Sequence, residues 1–166
     1  VQRHPTVADI GALTRLLLAR HVAFILVGGA AAVAHGSPTS TRDYDIVHSR
    51  DEANIARIMA VTAELGAFFR TDLSGRRLAP TAEHFRGHGQ ILLATSLGPL
   101  DFLCELHDGR GFEELVEHSI VLDADGQPLW VLDLPTLIEV KTAAGRPKDK
   151  LVVAELLALL ERQTKG

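Results

Sequence analysis

The sequence predicts an α/β fold, a mixed β-sheet with flanking helices. Three observations carry this. Short apolar, β-branched runs occur at 22–27 and 90–95, stretches of helical period occur at 6–19 and 51–65, and a hairpin signal at Asp125-Gly126 precedes two more helical stretches. The 166 residues are read as one domain, with a core at about 22–106 and a C-terminal hairpin and helices at about 120–164. With 46% hydrophobic and 23% charged residues, the composition excludes the disordered and low-complexity classes.

In chain order, Ile10, Leu13, Leu16, Leu17 and Leu18 fall mostly on one face of a helix that Thr6 or Asp9 would cap. The run 22–27 is too brief for a helix and suits a strand buried on both faces, ended by Gly28-Gly29. A short helix is expected over 30–34, stopped by Gly36 and Pro38. Strand 43–47 sets Tyr44 and Ile46 on one face and Asp43 and Asp45 on the other. Helix 51–65 follows, with Asp51 and Glu52 at the positive end of its dipole. The polar stretch 70–89 reads as a long connection, and 90–95 and 100–106 as strands paired across the Leu97-Gly98-Pro99 turn. A short helix at 112–117, a hairpin of 120–124 with 129–132, a helix from Pro135 to Ala144 ended by Gly145, and a last helix from near Pro147 complete the order.

Composition narrows function mainly by exclusion. Seventeen basic against twenty-one acidic residues give a net charge of −4, so no sequence-wide positive field marks a nucleic-acid partner. The single cysteine, Cys104, cannot form an intramolecular disulfide and is expected to pack as a small hydrophobe. The longest apolar stretch, 24–34, is broken by two glycines and falls short of the ~20 residues that span a bilayer, so no membrane partner is expected. The first five residues lack a secretory apolar segment, and a cytoplasmic location is the expectation. Of the eight histidines, His84 and His88 have i, i+4 spacing, but Phe85 stands where a zincin needs glutamate; solvated and packing roles are expected.

The chemistry concentrates on carboxylates. Asp43 and Asp45 lie two apart on one strand face, where like charges repel unless a cation sits between them. Asp101 interrupts Leu100-Asp101-Phe102-Leu103, an otherwise apolar strand in which a lone carboxylate is costly unless it is paired or binds a cation. If the two strands are neighbours, three carboxylates converge in an arrangement suited to metal-assisted phosphoryl transfer. A salt bridge from Asp101 to a nearby arginine is the competing reading, and the metal reading is preferred. Gly28-Gly29 at a strand end permits close backbone approach to an anion, although neither the P-loop nor the dinucleotide pattern is present.

Taken together, Val27-Gly28-Gly29-Ala30, His35-Gly36-Ser37 and Thr41-Arg42-Asp43-Tyr44-Asp45-Ile46 resemble the motif of the nucleotidyltransferase superfamily built on the DNA polymerase beta palm. The likeness is to small stand-alone prokaryotic members, some of which act in toxin–antitoxin or phage-defence pairs. Leu100-Asp101-Phe102 is similar to the family's third carboxylate site, and Leu137-Ile138-Glu139-Val140-Lys141 with Ala144-Gly145-Arg146-Pro147-Lys148-Asp149 is similar to a C-terminal signature of such proteins. The resemblance implies that Gly28 and Gly29 cradle nucleotide phosphates and that Lys141, Arg146 and Lys148 neutralise the triphosphate, the alternative for these three being a solvated helix end. It also implies that Asp43 and Asp45 ligate magnesium, with manganese as the alternative, and that Asp101 helps bind metal and activate the attacking hydroxyl. Many members carry Gly-Ser where this chain has Gly28-Gly29. The implied reaction transfers a nucleoside monophosphate from a nucleoside triphosphate to a hydroxyl acceptor, a small molecule, RNA or protein. The alternative is a non-catalytic relative that binds nucleotide or a partner protein.

Overall fold

The computed structural model describes residues 4–165; residues 1–3, part of the stretch read for a secretory signal, lie outside it. Helix α1 (Ile10–Ala19) begins where the Asp9 carboxylate accepts from the Ala12 N–H, so of the two candidate caps Asp9 is the one used. Strand β1 (Phe24–Val27) is buried throughout and runs directly into α2 (Gly28–Ala34), two residues earlier than the alanine run suggested. Then come β2 (Tyr44–His48), α3 (Glu52–Glu64), β3 (Phe68–Phe69), α4 (Ala82–Arg86), β4 (Gln90–Ala94) and β5 (Leu100–Leu103). The chain closes with α5 (Phe112–Leu115), a 3-10 turn at Val116–His118, β6 (Ser119–Ala124), β7 (Gln127–Leu132), α6 (Leu134–Ala144) and α7 (Pro147–Lys165).

All seven strands form one sheet in the order β3-β4-β5-β2-β1-β7-β6. It is mixed: β2 runs parallel to β5 and β1 parallel to β7, and the other pairs are antiparallel. The predicted hairpins form, and Asp125 and Gly126 both take positive φ in the β6–β7 turn. The C-terminal hairpin does not stand apart from the 22–106 core, because β7 joins the sheet alongside β1.

Register decides which side chains meet. Leu26, Ile46, Phe102 and Ile91 form a row across four strands, all buried. On this face Tyr44 hydrogen-bonds Thr14 of α1 (2.7 Å), and His48, Phe85 of α4 and Phe102 pack edge-to-face at 5.1–5.6 Å. The neighbouring row, Val27, Asp45, Asp101 and Leu92, lies on the opposite face. Here α2 packs on β2 and on α6, which packs in turn on α7, leaving the middle of the sheet open between them.

The stretch 70–89 is more ordered than a connecting loop. Helix α4 lies within it, and Arg70 extends β3 by donating its N–H to the Leu92 carbonyl (3.2 Å). Polarity hid both features, because α4 is only five residues long and β3 is held by pairing with β4 rather than by its own pattern.

Candidate active site

Asp45 and Asp101 are direct cross-strand neighbours in the parallel β2–β5 pair, so their side chains leave the same face of the sheet. Asp43 precedes β2 by one residue and points the same way. Ligand oxygens of all three lie within 4.8 Å of one another, the one such group of His, Cys, Asp or Glu side chains among the described residues. The neighbouring strands on which convergence depends are thus β2 and β5, and Asp101 stands on the same side as the other two.

The environment of this cluster is strongly asymmetric. Asp45 Oδ1 is buried with no hydrogen-bond partner. Burial, reinforced by the charges of Asp101 and Asp43, pushes the Asp45 carboxyl up to about 7, and Arg70 offsets part of that rise. Gly28, at φ +62°, makes this approach feasible: a Cβ there would sit 2.4 Å from Asp45 Oδ2. A Cβ on Gly29 would meet Thr41 Oγ1 at 2.5 Å, so Gly29 is required locally by the Thr41 side chain. An orphaned buried carboxylate oxygen, two like-charged neighbours and a bare backbone bend beside them fit a divalent cation with oxygen ligands.

Arg70 is the residue that sequence reasoning missed. Its guanidinium grips Asp101 with both terminal nitrogens, Nη1 to Oδ1 and Nη2 to Oδ2 (3.0 Å), and Nη1 also donates to the Leu93 carbonyl (3.1 Å). Nη2 lies 3.9 Å from Asp43. The preference for metal over an arginine partner at Asp101 therefore needs correcting: the salt bridge exists, and it stands beside the convergent carboxylates rather than replacing them. The available signal was the arginine's position directly after Phe68-Phe69, a pattern too short to read as a strand.

A cavity of about 520 Å³ opens over the cluster. Gly28, Gly29 and Thr41 line one side, Gln90, Leu92 and Leu103 the sheet floor, and Lys141, Arg146 and Lys148 the C-terminal wall. The three basic residues are thus brought to the same cavity as the aspartates, but in different states. Lys141 is partly buried, and desolvation lowers its pKa. Arg146 donates to Asp149 (2.7 Å), which burial and this bond place in a structural pair. His35 Nε2 sits 2.8 Å from the Leu132 carbonyl, a packing contact at the end of α2. His84 Nδ1 accepts from the Thr81 N–H (2.9 Å), and His88 lies 3.2 Å from Glu105. Cys104 is buried, and burial raises its thiol pKa, as expected of a packing residue.

No family model matches the chain. Over 101 residues it is 31% identical to a chaperone protein HscA homolog of Janthinobacterium sp. (strain Marseille); the match covers 56% of this chain and 15% of that protein, so the chain spans less than a sixth of the curated relative's length. Solved structures are more informative. The chain superposes on the lincosamide antibiotic adenylyltransferase LnuA, crystallised with lincomycin, with a TM-score of 0.63 at 12% identity, over 93% of this chain and 99% of that one. It matches an antigenic nucleotidyltransferase-like protein from Paracoccidioides brasiliensis with a TM-score of 0.57 at 13% identity, over 93% and 78% of the two chains. A third match is the candidate nucleotidyltransferase TM1012 from Thermotoga maritima, with a TM-score of 0.51 at 15% identity, over 95% and 99%. The mixed seven-stranded sheet with its flanking helices is thus a fold that this chain shares with proteins named as nucleotidyltransferases or nucleotidyltransferase-like.

Proposed function

We propose that this chain is a magnesium-dependent nucleotidyltransferase that moves a nucleoside monophosphate from a nucleoside triphosphate to a hydroxyl acceptor and releases pyrophosphate. The observation that supports it most is the cross-strand register of Asp45 with Asp101, which brings three carboxylates together beside Gly28. Asp43, Asp45 and Asp101 would hold magnesium, or manganese in its place. When bound, the ion neutralises phosphate charge and polarises the reacting phosphoryl group. The acceptor oxygen forms a bond to the α-phosphorus as the bond to the bridging α–β oxygen breaks, and the bonding pair leaves with pyrophosphate. Asp101, opposite Leu92 on the sheet floor, would orient the acceptor hydroxyl and take its proton once Arg70 gives up one of the two carboxylate oxygens it holds. The bare backbone of Gly28 and Gly29 lets the triphosphate approach, and Lys141 and Lys148 face it across the cavity, with Arg146 once it releases Asp149.

LnuA is described as modifying an antibiotic, which makes a small molecule the first acceptor class to test, with RNA and protein hydroxyls beside it. One observation favours a second reading. Asp101 is already satisfied by Arg70, as it would be in a non-catalytic nucleotide- or partner-binding relative, such as one component of a toxin–antitoxin or phage-defence pair. The discriminating measurement is the melting temperature with ATP, GTP, CTP or UTP plus magnesium. At a hundredfold excess over Kd the enzyme reading expects about 2.7 kcal/mol of stabilisation, absent in Asp43→Asn/Asp45→Asn. No shift at millimolar nucleotide leaves the partner-binding form of the second reading, a shift without label transfer to lysate, RNA or small-molecule hydroxyls leaves its nucleotide-binding form, and label transfer supports the enzyme and identifies the acceptor.

A further inference from the structure

Four cations line the cavity with the aspartates, but Arg70 differs from Lys141, Arg146 and Lys148 in being held by the sheet itself. The β3–β4 pairing sets Phe69 opposite Leu93, and the Arg70 N–H continues that ladder to Leu92, which is itself opposite Asp101. Arg70, Leu92, Asp101 and Asp45 therefore occupy one line across four strands. The Leu93 carbonyl fixes the guanidinium from behind while its fork closes on Asp101, whose side chain is 8% exposed. Asp43 lies within 3.9 Å on the open side. The arginine is thus a permanent positive charge mounted on the edge of the carboxylate cluster.

We propose that Arg70 is a tethered counter-cation of the carboxylate cluster: it stabilises the metal-free site and, by the same charge, weakens the hold of that site on a divalent ion. This rests on the metal reading given above and goes beyond it, because it assigns to a residue outside the carboxylate set control over metal affinity. Both effects follow from Coulomb's law in a partly desolvated site. Without metal, three carboxylates within 4.8 Å are offset by one guanidinium. With metal, that guanidinium and the ion are like charges sharing the same acceptors. Arg70 is accordingly a positioning residue, acting through Asp101 and Asp43.

The test is Mn2+ titration of the whole chain without nucleotide, counting free ion by electron paramagnetic resonance, for wild type, Arg70→Gln and Arg70→Lys. In Arg70→Gln the Kd for Mn2+ falls by about tenfold or more, since a unit charge beside the ion is removed, while the metal-free melting temperature drops and the rise on adding Mn2+ grows. Arg70→Lys, which keeps the charge but loses the fork, stays within about threefold of wild type. A purely structural arginine would weaken metal binding when removed, so equal or weaker Mn2+ binding by Arg70→Gln overturns the proposal, as does a lysine variant that behaves like the glutamine one. If Arg70→Gln folds only with Mn2+ present, that supports the proposal; if it is unfolded in both conditions, that overturns it. Wild type that retains no Mn2+ at millimolar concentration overturns the metal reading as well, whereas binding by wild type without tightening in Arg70→Gln removes this inference alone.

Discussion

At the scale of single residues, Gly28 sets the tightest constraint on the site. Its φ of +62° disfavours any side chain, and a Cβ would enter the space of Asp45 Oδ2. Gly28→Ala is expected to cost about 1–3 kcal/mol of stability and to abolish metal binding, because Asp45 is the carboxylate it displaces. Urea denaturation and Mn2+ titration of the same sample check both halves. Retained Mn2+ affinity in a folded Gly28→Ala protein would contradict the close packing of this glycine on the carboxylate. The sequence singled out this residue through its neighbours, whereas Arg70 escaped notice. An aspartate inside an apolar run is conspicuous, but an arginine at the start of a polar stretch looks ordinary.

At the scale of elements, the cavity depends on the segment between α2 and β2. That segment is fastened by Glu155 of α7, whose Oε2 accepts from Ser37 Oγ (2.9 Å) and from Thr39 Oγ1. Farther along it, Thr41 Oγ1 donates to the Asp43 carbonyl (3.2 Å), just ahead of the aspartates. Helix α7 therefore does more than cover the core with Val152 and Leu156; it clamps one wall of the site. Glu155→Ala leaves two hydroxyls without their acceptor and should cost about 1–2 kcal/mol. Amide hydrogen exchange over 38–42 should accelerate while exchange in β1 and β5 does not. Unchanged protection in 38–42 would show that the segment is held by other means.

At the scale of the whole molecule, the raised pKa of Asp45 makes global stability depend on pH and on metal. The carboxyl ionises at about 7 in the folded state, against an ordinary value of 3.8 when unfolded. Between these values the folded state binds the extra proton, so its contribution is complete below about pH 4 and is lost as pH rises through about 7. Metal-free protein should lose roughly 2 kcal/mol between pH 5 and pH 8 relative to Asp45→Asn, whose amide does not titrate. Saturating magnesium should flatten the difference, since the ion favours the ionised carboxylate. Urea denaturation curves at the two pH values, with and without metal, provide the measurement. Wild type and Asp45→Asn changing in parallel would show that Asp45 is not the group responsible. No helix among the described residues is long and apolar enough to cross a membrane.

Much of this was legible from the chain alone because it depends on local periodicity. Two-residue alternation placed Asp43 and Asp45 on one strand face, Asp125-Gly126 fixed a hairpin, and a carboxylate inside an apolar run marked Asp101. What periodicity cannot supply is register between segments distant in sequence. The opposition of Asp45 and Asp101, the line that carries Arg70 to Asp101, and the arrival of Lys141 and Lys148 at the same cavity are set by strand order and helix packing. A sequence determines which groups are available and which way each faces within its own element. Only the folded sheet, by bringing those elements edge to edge, decides which charges must share one small volume and so what the site can bind.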